Sequence, residues 1–167
     1  MNILGTTKIT EKQAADLALS KGCTKVFANN AAQYWLICRR VGVNPVIAYC
    51  QYALETGWGK FGGVLDASFK NPCGLKIPAG GGDYDANAHK RFPTWTEGIA
   101  AHIDHLALYA GKPGYPKEFT EDPRHFPYLL GKARTVKELG GNWAPSSQYG
   151  VKLENLIKDL ENYAKNH

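Results

Sequence analysis

Glu55 is the side chain in this sequence best placed to do chemistry. On a helix opened by Asn44-Pro45 it follows Leu54 and borders the apolar stripe begun by Val46 and Ile47, so it does not point fully into water. It falls in the last turn, where the helix carbonyls carry partial negative charge, and the nearby Trp58 excludes water. Both effects disfavour the carboxylate and raise its pKa. A carboxylic acid held protonated near neutral pH is what cleavage of a glycosidic bond requires. The plainer alternative is a helix-end glutamate paired with Lys60 or Arg39.

Other reactive side chains offer less. Cys50 falls mid-helix on the apolar face, as an inert thiol would. Cys73 is the better nucleophile for a Cys-His peptidase or amidase, but its neighbours form no recognisable nucleophile setting. His102 and His105 sit on a helix, where packed or capping histidines are common, and neither they nor His89 and His125 are assigned a role. The spacing of Cys23, Cys38, Cys50 and Cys73 resembles no dense disulfide framework, so free thiols are expected. No pair has C-x-x-C spacing and His102-x-x-His105 supplies too few ligands, so neither a metal nor a cofactor is expected.

The elements that must hold Glu55 are helices joined by Gly- and Pro-marked loops. A capping box at Thr10-Glu11-Lys12-Gln13 opens a helix closed by Gly22, and Asn30 opens another over Ala31 to Val41, closed by Gly42. Asn44-Pro45 opens the third, with Val46, Ile47, Cys50, Ala53 and Leu54 at helical spacing up to Gly57, and this helix is expected to be the most buried. From Gly59 to Phe92 the period vanishes, which predicts a loop or small β-hairpin lobe. Thr94-Trp95-Thr96-Glu97 opens a fourth helix carrying Ile99, Ile103 and Leu106 and stopped by Gly111. Lys112 to Phe126, with Pro113, Pro116 and Pro123, is loop. A short helix over Thr135 to Leu139 and a terminal one from about Ser147, with Leu153, Leu156, Ile157 and Leu160 on one stripe, complete the chain.

At 167 residues, 44% hydrophobic and 21% charged, the sequence reads as a single globular domain over residues 1–167. Its net charge of +5 favours an anionic polymer such as cell wall or nucleic acid. The scattered placement of Lys and Arg argues against nucleic acid. No run approaches the roughly 20 apolar residues of a membrane span. Met1 to Lys12 lacks the features of a signal peptide, so the expectation is a protein retained in the cell until release, or an excised piece of a secreted one.

Four stretches then carry a resemblance. Ala53-Leu54-Glu55-Thr56-Gly57-Trp58-Gly59 resembles the helix-end motif of the glucosaminidases of glycoside hydrolase family 73, whose glutamate is the general acid. Asn71-Pro72-Cys73-Gly74-Leu75-Lys76 resembles the family's Asn-x-Phe-Gly-Ile-Lys segment, with Cys73 in place of phenylalanine. Arg91-Phe92 through Trp95 with Glu97-Gly98-Ile99, and Trp143-Ala144 with Tyr149, are similar to its later motifs, in the same order.

The resemblance implies a mainly α, lysozyme-like helical domain with a small β-hairpin lobe. It implies an endo-β-N-acetylglucosaminidase acting on peptidoglycan glycan strands, with Glu55 as general acid and Tyr149 close to the reacting sugar. The family's second acidic residue is matched best by Asp83, ahead of Asp85, and both also suit a turn. A carboxylate across a water-sized gap implies inversion; otherwise the substrate's acetamido group is the nucleophile. Trp58, Asn71, Lys76, Asp85, Phe92 and Trp143 are the expected substrate-binding residues, the aromatic ones also suiting a core. A muramidase or lytic transglycosylase, a Cys-dependent wall amidase or peptidase, and a non-catalytic glycan-binding module are the other readings. The expected setting is the bacterial cell wall, reached as a monomeric phage endolysin or as an autolysin domain.

Overall fold

A computed structural model describes all residues from Met1 to His167. Six α-helices follow one another: α1 Glu11–Ser20, α2 Lys25–Asn29, α3 Ala31–Val41, α4 Pro45–Thr56, α5 Trp95–Tyr109 and α6 Tyr149–Lys165. The caps form as their residue types dictate. Thr10 and Gln13 close a reciprocal capping box on α1, Asn44 accepts from the Val46 N–H above Pro45, and Gly42 ends α3 in the left-handed conformation. The short α2 was not anticipated, because five residues are too few to display a helical period.

Every residue of α4 except Leu54 and Glu55 is buried. It packs against α3, α5 and α6, and Ile47, Tyr52, Ile99, Ile103, Leu153 and Ile157 belong to the single large core around it. Glu55 is therefore the acidic end of a helix otherwise enclosed by protein.

The segment from Gly59 to Phe92 is less regular than a hairpin lobe. One antiparallel bridge, Lys76 to His89, joins its two arms, reinforced by Ile77 N–H to the Ala88 carbonyl and Lys90 N–H to that of Leu75, both at 2.9 Å. The remainder is turns, including 3-10 turns at Ala67–Phe69 and Ala86–Ala88. The glycines that blur the sequence period also prevent longer strands. The helix expected over Thr135 to Leu139 is likewise reduced to a 3-10 turn at Lys137–Leu139.

Two contacts fasten this lobe to the helices. Phe92 packs with Cys73, Leu75 and Ala101 in a second, smaller apolar cluster. Gly98, in the first turn of α5, lies so close to Lys70 that a Cβ there would overlap its carbonyl oxygen. Since that obstacle is backbone, Gly98→Ala is expected to destabilise the protein by about 1–3 kcal/mol, read as a lower urea midpoint with an unchanged m-value. An unchanged midpoint would show that the lobe does not need this approach.

Candidate active site

The turn that ends α4 explains why Glu55 is followed by Thr-Gly-Trp-Gly. Gly57, Trp58 and Gly59 all have positive φ, at 59°, 61° and 82°. Thr56 Oγ1 donates to the Tyr52 carbonyl at 2.8 Å and accepts from the Gly59 N–H at 2.9 Å, tying the turn to the helix it leaves. A Cβ on Gly59 would stand 2.6 Å from Thr24 Oγ1 and 2.8 Å from Phe27 Cβ, so α2 leaves no room for one. The motif thus fixes where the helix stops and where its last carboxyl projects.

That carboxyl projects into a cleft of about 490 Å³, whose walls include Cys73, Lys76, Asp83, His105 and Trp143. Glu55 is open to the cleft, yet protein crowds it enough that burial dominates and raises its pKa above the ordinary glutamate value. The open face limits the size of that shift but not its sign. Tyr149 Oη donates to Glu55 Oε1 at 2.6 Å, an opposing influence that favours the carboxylate. Oε2 has no protein partner and is left to carry the exchangeable proton.

Behind Tyr149 runs a buried chain of hydrogen bonds. Gln51 Nε2 donates to Tyr149 Oη at 2.9 Å, His102 Nε2 donates to Gln51 Oε1 at 2.7 Å, and Tyr34 Oη donates to His102 Nδ1 at 2.7 Å. Burial pushes the His102 pKa down to about 3, so its ring is neutral and carries one proton. With Gln51 Nε2 committed to Tyr149, that proton must sit on Nε2, and every donor in the chain points towards Glu55.

Asp83 lines the same cleft, with its side chain 80% exposed and its Oδ1 2.7 Å from Lys76 Nζ. The Lys76 hydrogen bond and charge hold its pKa below the usual aspartate range, the opposite direction to the shift at Glu55. Trp143 also lines the cleft. Glu55, Asp83, Lys76, Trp143 and, through its hydroxyl, Tyr149 are thereby brought together.

The other expected binding residues are placed differently. Trp58 packs edge-on against Phe27 and lines a groove with Leu54 and Leu156, because its left-handed backbone turns it away from Glu55. Asn71 has no exposed surface: its Nδ2 donates to the Leu75 and Lys90 carbonyls and its Oδ1 accepts from the Cys73 and Leu75 N–H groups. Phe92 is only 4% exposed and belongs to the lobe's apolar cluster. Asp85 caps the 3-10 turn, with Oδ1 accepting from Asn87 N–H, and lies outside the cleft wall. These four shape the cleft or its surroundings and offer it no side chain.

Gln51, His102 and Tyr34 were missed as parts of the site. A signal existed in the polar Gln51 and His102 on faces that otherwise read as core. All four cysteines are free, and burial raises the Cys73 thiol well above its ordinary range, helped by the Glu55 and Asp122 charges. A second cavity, of about 380 Å³ between the N-terminal segment and α3, has only exposed charged side chains.

The profile of the glucosaminidase family, described as mannosyl-glycoprotein endo-β-N-acetylglucosaminidase, matches residues 31–162. An uncharacterised protein of Borreliella burgdorferi is 31% identical over 160 residues, spanning 95% of this chain and 76% of that protein. The fold is similar to the crystal structure of the catalytic domain of the autolysin Auto from Listeria monocytogenes, with a TM-score of 0.52 and 18% identity over 94% of this chain and 99% of that one. The expected lysozyme-like helical fold is thus borne out.

Tyr149→Phe removes the bond that favours the Glu55 carboxylate, so the Glu55 titration, followed by carboxyl carbon NMR, is expected to move to higher pH. No movement, or a downward one, would break the assigned link between the two groups. His102 gives a stability prediction with a definite sign. Its pKa falls from 6.5 to about 3 on folding, so its contribution is complete above pH 6.5 and is lost as pH drops from there towards 3. Urea unfolding of Glu55→Gln, which lacks the Glu55 titration, should lose on the order of 4 kcal/mol across that window. A flat profile would mean that His102 is not held neutral.

Proposed function

We propose, since the chain belongs to the glucosaminidase family, that it is an endo-β-N-acetylglucosaminidase hydrolysing the glycan strands of bacterial peptidoglycan. The observation that carries this reading is Glu55: an acid whose pKa is raised by burial, at a helix end, oriented by Tyr149 through one oxygen and free at the other. Such a group donates a proton to the departing glycosidic oxygen as the bond to the anomeric carbon breaks. Asp83 is the second carboxylate. Kept ionised by Lys76 on the same cleft, it suits activation of the attacking water or stabilisation of positive charge on the sugar ring.

The chemistry of the cleft favours sugar over peptide as the scissile part of the wall. Cys73, the candidate nucleophile for peptide cleavage, is a buried thiol held protonated and makes no hydrogen bond to a histidine side chain. The net charge of +5 supports encounter with an anionic wall.

Purified peptidoglycan digested by the wild type and reduced should yield new N-acetylglucosaminitol ends by mass spectrometry. Glu55→Gln should lower the rate by about 10²–10⁴-fold. Reduced or anhydro muramic acid ends instead would make the protein a muramidase or lytic transglycosylase. Undiminished cleavage by the variant would remove Glu55 from the mechanism.

A further inference from the structure

A second polar constellation reaches the cleft from α5 and the Pro-rich loop after it. Asp122, whose side chain has no exposed surface, accepts from His105 Nδ1 at 2.7 Å and His125 Nδ1 at 2.8 Å through Oδ2, and from the Arg124 N–H at 2.9 Å through Oδ1. Burial alone would raise its pKa, but the two histidine bonds outweigh that and bring it down to about 2. Asp122 is therefore an anion with no proton to give, and both imidazoles must be donors at Nδ1.

The two histidines differ at their other nitrogen. His125 Nε2 accepts from the Lys117 N–H at 3.0 Å, which completes its bonding and fixes it as a neutral prop. His105 Nε2 has no partner within the protein, although no fully buried side-chain nitrogen or oxygen lacks one. It is the one ring nitrogen of this cluster left for the cleft, whose wall His105 helps to form alongside Glu55. The ring is gripped on its sides as well, with Trp143 at 4.9 Å and Tyr109 at 5.0 Å, both edge to face. Trp143 is only partly buried and shares the same wall.

Fastening the loop does not by itself require this arrangement. Asp104 on α5 already binds the loop, accepting from Tyr115 Oη at 2.7 Å and Lys117 Nζ at 2.9 Å. A buried anion is costly to keep unless it is fully bonded, and here it aligns a histidine that lines the site and whose Nε2 has no protein partner.

We propose that His105, oriented by Asp122 with His125 behind it, is a sugar-binding group: its Nε2 accepts a hydrogen bond from a hydroxyl or acetamido N–H of an N-acetylated amino sugar whose ring lies against Trp143. A polar atom of fixed direction beside an aromatic wall is the combination that recognises a pyranose, apolar on its face and polar at its rim. The glycan occupant rests on the glucosaminidase reading, whereas the fixed Nε2 does not.

The test uses full-length protein and a tetrameric N-acetylglucosamine oligosaccharide as probe, in the Glu55→Gln background so that the probe survives. Nitrogen NMR of the imidazoles should show His105 Nε2 moving on titration while His125 Nε2 stays in place. His105→Gln should weaken binding by about tenfold, and His125→Gln should lower the unfolding midpoint with little change in affinity. A stationary His105 Nε2 at saturating probe, no binding at all, or equal loss of affinity in the two variants would overturn the proposal. The two readings fail separately: wall hydrolysis by the wild type with a stationary Nε2 removes only this subsite, and a shifted Nε2 without hydrolysis removes only the enzymatic reading.

Discussion

Gln51 stands where four helices meet, and its carboxamide decides how they can be arranged around the site. It donates to Tyr149 of α6 and accepts from His102 of α5, which in turn accepts from Tyr34 of α3, while Glu55 lies one turn further along Gln51's own helix. Gln51, His102, Tyr34 and Tyr149 are all buried, and a missing partner would leave a polar atom unsatisfied at about 1–3 kcal/mol. Moving α4, α5 or α6 along its axis would break the chain at two or more points, and moving α3 would break it at Tyr34. The hydrogen bonds therefore do what the surrounding apolar core cannot, since hydrophobic burial is non-directional and would tolerate small slips.

The same chain sets the character of the Glu55 carboxyl. Tyr149 reaches Glu55 through one oxygen only, so the carboxyl is oriented without being neutralised as a donor. Burial raises its pKa and the tyrosine bond partly opposes this, so the outcome is a balance that neighbouring groups can adjust. Across the cleft, Lys76 pushes Asp83 the other way. Two carboxyl groups in one cleft thus have their pKa values pushed in opposite directions by their surroundings.

The opposite wall is irregular chain, in which buried polar side chains take the place of strands. Asn71 satisfies four backbone groups of the lobe turn, and Asp104 and Asp122 bind the Pro-rich loop to α5 from opposite sides. Arg124 then joins that loop to the lobe through the Ile77 and Pro78 carbonyls, at 3.2 and 3.0 Å. Without a sheet ladder, these side chains meet the backbone's need for partners.

What the sequence determined by itself was local. Thr10, Asn44, Gly42 and Gly57 mark helix ends because caps depend on a few adjacent residues, and the apolar spacing of α4, α5 and α6 gave their buried faces. Glu55 was legible because its motif is itself local: Thr56, Gly57 and Gly59 build the turn that positions it. Tertiary structure decided everything that depends on direction and distance between segments far apart in the chain. It placed Trp58 in a groove apart from the Glu55 cleft, sealed Asn71 and Phe92 in the walls, left Asp85 capping a turn, and joined Tyr34, Gln51, His102 and Tyr149 into one chain. His105 shows the reason most directly: on its own helix it reads as a packed histidine, and only Asp122, arriving from a loop, holds its Nδ1 and orients the ring in the cleft wall.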